Sequence, residues 1–252
     1  MRCCLSWVKS VLLLLVLLSS WPQAEAFQQY PTNLKMERLR HQMVAKVTTY
    51  RHPGATVYDQ AVLDAMRAVP RHLFVPKPQQ SDAYRDSPIR IGYGQTISQP
   101  YIVALMTQLA EVEPGMKVLE VGTGSGYQAA ILAELTNSVY TIEIISQLAK
   151  RTASVFKNLG LEQIEHRHGD GYYGWPEPML FDRILVTAAA AHIPSPLLQQ
   201  LKPGGRMVIP IGPIWGSQEL LLLTKSSEGK VITRSIIPVL FVPLTGAGQG
   251  NK

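Results

Sequence analysis

The stretch Val118–Ala130, VLEVGTGSGYQAA, constrains the fold of this chain more than any other: an apolar strand runs into three closely spaced glycines and then into a helix. Gly122, Gly124 and Gly126 carry no Cβ and can take φ > 0, so the chain can turn sharply and let a ligand approach its main chain. A second apolar run, Val139–Ile142, ends in Glu143. That acid stands about twenty residues past the glycines, where doubly wound folds place a carboxylate on ribose hydroxyls. The spacing describes a βαβ nucleoside site, and two details select the nucleoside. The glycines read G-x-G-x-G rather than G-x-G-x-x-G, and Glu120 stands at the strand tip, where a pyrophosphate would be repelled. Both favour a nucleoside carrying positive charge. A ligand-free glycine-rich turn is the competing reading, and Glu143 argues against it.

The rest of the chain extends this unit into an α/β fold. Apolar residues recur at helical spacing over Leu34–Val47, and a second amphipathic helix, Tyr58–Val69, ends at Pro70. The proline-punctuated segment VPRHLFVPKP, Val69–Pro78, reads as an extended connector. In SPIRIGYGQTISQPY, Ser87–Tyr101, Gly92, Gly94 and Pro100 break regular structure around a polar core, so this loop should be held by something other than its own ladder. Helices follow at Ile102–Ala110, Leu148–Leu159 and Pro196–Leu201, with strands at Ile164–His168, Phe181–Val186 and Arg206–Ile209. The sequence Lys202-Pro203-Gly204-Gly205 reads as a helix stop. Glu219–Thr224 and Val231–Ile237 flank a turn and should pair antiparallel. The fold class is α/β: a doubly wound, mostly parallel sheet with antiparallel C-terminal strands and an N-terminal helical preface.

The N-terminus reads as an export signal. Arg2 and Lys9 precede an apolar run, Val11–Leu18, and Ala24-Glu25-Ala26 offers the small residues a signal peptidase reads. The apolar run is well short of the ~20 residues needed to span hydrocarbon, so cleavage before Phe27 is expected rather than anchoring. Residues 1–26 are then the signal and 27–252 one domain, with 27–110 as preface and substrate loop and 111–252 as α/β core. Cys3 and Cys4 leave with the signal, and the mature chain holds no cysteine. Disulfides, thiolate metal sites and a cysteine nucleophile are thereby excluded. Removing Arg2, Lys9 and Glu25 changes the charge balance from 24 − 18 to 22 − 17, a mature net charge of +5. The basic residues are scattered, with no run that marks a nucleic-acid arm. His166 and His168 alternate along a strand and face opposite sides, which argues against a joint metal site.

The glycine turn resembles the first motif of class I methyltransferases, whose cofactor, S-adenosylmethionine, is a sulfonium cation without phosphate. A narrower resemblance covers nearly the whole mature chain in order. VPRHLFVP, GYGQTISQPYIVALMTQL, RHGDGYYGWPE, FDRILVTAAA, LLQQLKPGGRMVIPIG and FVPLTG together resemble the protein-L-isoaspartate O-methyltransferases. The resemblance implies methyl transfer from S-adenosylmethionine to the free α-carboxylate of L-isoaspartyl residues in damaged proteins, with the ester then closing to a succinimide. It puts the active-site serine on Ser98, with main-chain amides of Thr96 and Ile97 beside it. It puts cofactor contacts on Glu120, Gly122, Gly124, Glu143, Asp170 and Gly171, with Glu143 on the ribose and Asp170 on the adenine amino group. Thr245, in Pro243-Leu244-Thr245, falls on the segment that closes over bound peptide. Damaged peptides are the expected partners, with no nucleic acid and no stable membrane association, and a monomer is expected.

The residues give that reaction a physical reading. A carboxylate is ionised at neutral pH, since its ordinary pKa lies near 4, so no general base is needed to make the nucleophile. Catalysis then reduces to positioning, which can supply ~7–11 kcal/mol. Ser98 as a mere loop cap and Asp170 as a mere turn former are the bland alternatives. A serine hydrolase is disfavoured because Thr123 stands where G-x-S-x-G needs its first glycine before Ser125. The nearest enzymatic rival, a nucleic-acid methyltransferase, lacks its expected Asp/Asn-Pro-Pro-aromatic turn in TAAAAHIP after Val186. An exported peptide- or cofactor-binding protein without turnover is the non-enzymatic rival. Two features depart from the family pattern: Arg90 stands where proline or an apolar residue is usual, and most members are cytosolic, where the cofactor is made. Export to the periplasm is the expectation and the cytoplasm its alternative.

Overall fold

The computed structural model describes residues 33–213 and 216–246. The signal-peptide reading, with its cleavage point, lies outside the described residues. Helices α1 (Leu34–Val47) and α2 (Gln60–Ala68) open the described chain, each started by a side chain that satisfies orphan amides. Asn33 accepts from the Met36 amide, and Asp59 accepts from those of Ala61 and Val62. Strands β1 (Ile89–Gly92) and β2 (Gln95–Ile97) precede α3 (Pro100–Ala110). The α/β part then runs β3 (Lys117–Val121), α4 (Tyr127–Ala133), β4 (Ser138–Glu143), α5 (Ser146–Leu159), β5 (Glu165–His168), β6 (Phe181–Val186), α6 (Ser195–Gln200), β7 (Leu201–Ile211), β8 (Gln218–Lys225) and β9 (Val231–Val239).

The large sheet has seven strands in the order β5-β4-β3-β6-β7-β8-β9. β5 to β7 are parallel, while β8 and β9 return antiparallel at one edge. The order reverses at β3, so the glycine turn leaves the sheet at a topological switch point, where open α/β sheets bind ligands. Every residue of α4 is buried. That helix is sandwiched: residues from the preface helices (Met43, Val47, Met66), from α3 (Leu105) and from α4 (Ile131, Leu132) belong to one apolar cluster. Phe181, Ile184 and Val186 of β6 belong to a second cluster on the other face of the sheet. A parallel strand covered on both faces is consistent with its continuous apolar reading.

Three expectations are corrected. Val69–Pro78 is not an extended connector, because 3-10 turns form at Arg71–Phe74 and Lys77–Asp82. Proline fixes φ near a value that such turns also use, so prolines at the start of a turn promote it as well as stop longer helices. Ser87–Tyr101 does carry a ladder: β1 and β2 form an antiparallel hairpin with Ile89 opposite Ile97 and Arg90 opposite Thr96. Its tip uses φ of 93°, 54° and 73° at Gly92, Tyr93 and Gly94. Finally, the helix does stop before Lys202–Gly205, but those residues are already strand, since β7 begins at Leu201 rather than at Arg206. The register against β6 slips there, from Phe181 opposite Leu201 to Arg183 opposite Arg206. Glycines in a strand permit such a bulge.

Candidate active site

The turn after β3 is built so that only glycine fits. Gly122 sits at φ 100°, and a Cβ there would lie 2.6 Å from Thr187 Oγ1. That hydroxyl donates to the carbonyls of Val121 (3.0 Å) and Gly122 (2.7 Å), locking the turn against the end of β6. Around the turn opens a cavity lined by Glu120, Gly122, Gly124, Glu143, Gly171 and Thr187, among others. Both oxygens of Glu143 accept amides, from Gly124 (2.7 Å) and Ile145 (2.8 Å). Each carboxylate oxygen has a second lone pair for a ligand hydroxyl.

Glu120 is fully buried. Its Oε2 accepts from Thr141 at 2.5 Å, while Oε1 has no partner. Burial pushes its carboxyl up to about 8, the Glu143 charge adds to the rise, and the Thr141 bond opposes it. Among the described residues, Glu120 and Glu143 are the only acidic or basic residues that line the cavity. Two acids without a basic partner, one holding an orphaned buried oxygen, make a poor phosphate site and a good one for a cationic nucleoside. S-adenosylmethionine fits that donor and charge set.

A second cavity of about 620 Å³ adjoins the first, between the hairpin and the end of β9 with the segment that follows it. Its walls include Pro88, Gln99 and Ile102 on one side and Val239, Leu240 and Phe241 on the other. The two cavities share four lining residues, Thr96, Ser98, Thr187 and Val242. The Ser98 loop is held from both flanks. Asp86 accepts from the Tyr50 hydroxyl (2.5 Å), Gln99 Nε2 (3.1 Å) and the Tyr101 amide (3.0 Å), which also caps α3. That bond to Asp86 and burial push the Tyr50 hydroxyl up to about 12. On the other flank, Arg71 Nη2 donates to the Ser98 carbonyl at 2.6 Å, and Arg151 reaches the Ile91 carbonyl at 2.6 Å.

Ser98, Thr96 and Ile97 thus stand in the same cavity wall as Glu120, Gly122, Gly124, Glu143 and Gly171. Gly171 is required by close packing, since a Cβ would meet Val121 Cγ1 at 2.5 Å. Asp170 is outside that lining. It caps the short turn at Gly171–Tyr173 by accepting from the Tyr172 amide at 3.0 Å, and Gly246 lies close against its carboxylate. Thr245 lines the cavity that holds the glycine turn but not the adjoining groove. Its segment is tied down by the Leu244 amide, which donates to Ala189 at 2.7 Å. Arg90 is exposed, opposite Thr96 on the hairpin.

Sequence reasoning missed Thr187, Asp86 and Arg71. Thr187 had a usable signal, because it follows the buried strand next to β3 at the switch point. The other two act from behind the wall, and nothing local in the sequence marks them.

Comparison with known proteins agrees with this geometry. Residues 40–249 match the family described as Protein-L-isoaspartate(D-aspartate) O-methyltransferase. A Polaromonas protein named Protein-L-isoaspartate O-methyltransferase 2 is 57% identical over 198 residues, covering 79% of this chain and 94% of the relative. A relative of the same name from Syntrophobacter fumaroxidans is 58% identical, covering 77% of this chain and 78% of its own. Among solved structures, one named protein-L-isoaspartate O-methyltransferase aligns with a TM-score of 0.74 at 27% identity, over 84% of this chain and 67% of its own. A Plasmodium falciparum protein bearing that family name, in complex with S-adenosyl-L-homocysteine, aligns with a TM-score of 0.70 at 25% identity, over 83% and 98%.

Proposed function

The chain belongs to the protein-L-isoaspartate (D-aspartate) O-methyltransferase family, and from that premise we propose how its two joined cavities divide the reaction. The protein transfers a methyl group from S-adenosylmethionine to L-isoaspartyl residues of damaged proteins. The observation that carries the division of labour is the shared wall at Thr96, Ser98, Thr187 and Val242. The cofactor, when bound, supplies an electrophilic methyl on a sulfonium.

Everything else is positioning by this chain. Glu143, with its oxygens already oriented by two amides, receives the ribose hydroxyls. Glu120 faces the cationic part of the cofactor, and Gly122, Gly124 and Gly171 give the main chain its close approach. Asp170 accepts from the adenine amino group at the far end, with Thr245 covering the same cavity. On the acceptor side, the groove walled by Val239–Phe241 takes the peptide. Ser98 donates its hydroxyl to the α-carboxylate, and the amides of Thr96 and Ile97 assist. Holding the acceptor in line removes much of its entropic barrier, and no proton has to be taken from it. The amide nitrogen beside the methyl ester then loses its proton and attacks the ester carbonyl, and methanol leaves as the succinimide closes.

We assign the mature chain to the periplasm, on the strength of Arg2, Lys9, the Val11–Leu18 run and Ala24-Glu25-Ala26. Exported material should begin at Phe27 by N-terminal sequencing; soluble cytosolic protein retaining Met1 would refute that assignment.

The activity is tested by incubating the mature protein with methyl-labelled S-adenosylmethionine and matched peptides containing L-isoaspartate or L-aspartate. Base-labile label on the former alone is expected. Label on neither, or equally on both, would overturn the reading.

A further inference from the structure

Methyl transfer to a carboxylate brings an anion to a cavity whose own ionisable lining acids, Glu120 and Glu143, offer it no positive charge. Among the described residues no lysine or arginine lines that cavity or the adjoining groove. The positive charge stands one layer back. Arg71 is fully buried. Its Nε donates to the Ala83 carbonyl at 2.8 Å and its Nη2 to the Ser98 carbonyl at 2.6 Å. The guanidinium lies 4.8 Å from the centre of the Tyr127 ring. Ser98 and Tyr127 are both wall residues of the cofactor cavity.

Among the described residues this cation has no counter-ion in contact with it, and Nη1 has no hydrogen-bond partner. Asp86, whose charge acts on Arg71, is already engaged by Tyr50, Gln99 and Tyr101. Burial lowers the guanidinium to about 10, which leaves it charged at neutral pH. A buried charge without a contacting counter-ion is costly.

We propose that Arg71 is a positioning residue for the methyl acceptor: it fixes Ser98 through its carbonyl and, from behind the wall, supplies the positive potential that holds the substrate α-carboxylate against Glu120 and Glu143. The proposal rests on the acceptor reading given above. Arg71 touches neither substrate nor cofactor and acts through Ser98 and the field.

The test compares an L-isoaspartyl peptide with the same peptide bearing an α-carboxamide, both binding to protein saturated with S-adenosylhomocysteine. Wild type should hold the acid about tenfold or more tightly over the amide. In Arg71→Met that preference should shrink to within about twofold, with S-adenosylhomocysteine affinity unchanged. Arg71→Lys keeps the charge but loses the fork over two carbonyls, so it should keep the preference and turn over more slowly.

Equal binding of acid and amide by wild type overturns the proposal without any variant. So does a wild-type preference surviving in Arg71→Met, or loss of the preference in Arg71→Lys to the same extent as in Arg71→Met. Failure of the acceptor reading itself would look different, since wild type would then bind neither peptide and methylate none.

Discussion

The two halves of the site are made in different ways. The cofactor half is a property of the parallel sheet: strand tips of β3 and β4, separated by about twenty residues, place Glu120, the glycine turn and Glu143 in register through backbone pairing. The acceptor half is assembled from distant segments. Pro88–Ile102 meets Val239–Val242 across a groove, and the loop around Ser98 is held by side chains that reach in from elsewhere, Tyr50 at Gln99, Arg71 at Ser98 and Arg151 at Ile91. A scaffold of buried strands fixes the cofactor through main-chain geometry, while specificity for the damaged residue rests on a loop. Substitutions on one side should therefore spare the other.

The largest break is expected at the glycine turn. Gly122→Val forces a β-branched residue to φ 100° and drives its Cβ into Thr187 Oγ1. Affinity for S-adenosylhomocysteine by calorimetry should fall by about 100-fold or more. A normal affinity would mean that the turn does not form the cofactor wall. Ser98→Ala is the matching break on the other side. It should lower kcat for isoaspartyl peptide by about 10- to 100-fold and leave the affinity for S-adenosylhomocysteine as in wild type. Turnover equal to wild type would remove Ser98 from the acceptor contacts.

The electrostatic asymmetry is smaller and shows in pH dependence. Glu120 is raised from 4.5 to about 8, so within this window the ligand-free fold holds a proton that the unfolded chain has lost. Its contribution to stability is present below about 4.5 and disappears as pH rises toward 8. Glu134 is raised by burial as well, to about 7, but it contributes equally to both proteins and cancels in a comparison. The Tm of wild type minus that of Glu120→Gln should therefore fall between about pH 5 and pH 8. A rising difference would show an ionised Glu120 at rest. The smallest effect is expected at exposed Arg90, beside the groove. Arg90→Ala should weaken kcat/KM for peptides with acidic flanking residues by about two- to threefold at low salt and not at high salt.

The contrast between the halves also explains what was legible. VLEVGTGSGYQAA, Glu143 and Phe181–Val186 could be read because strand period, glycine geometry and burial on both faces leave local marks in the sequence. The loop is marked by Gly92, Gly94 and Pro100, but the role of Ser98 rests on resemblance, and the hairpin leaves no mark because two short strands around Gly92 and Gly94 carry no long alternation. VPRHLFVPKP misled because proline stops helices and starts turns with the same fixed φ. Arg71 carries no local mark of burial, since charged side chains are almost never fully buried and it is tertiary structure that brings Ala83, Ser98 and Tyr127 around it. Thr187 could have been found from its place after β6, beside the switch point.

A crystal structure of the protein with S-adenosylhomocysteine and an L-isoaspartyl peptide tests the joining of the two halves most directly. The account predicts the nucleoside between Glu120, Glu143 and the glycine turn, with the peptide along Val239–Phe241. Its α-carboxylate should lie about 2.6–3.2 Å from Ser98 Oγ, at the wall shared by both cavities. A peptide seated elsewhere, or one whose α-carboxylate points away from Ser98 while the cofactor site is filled, would contradict it.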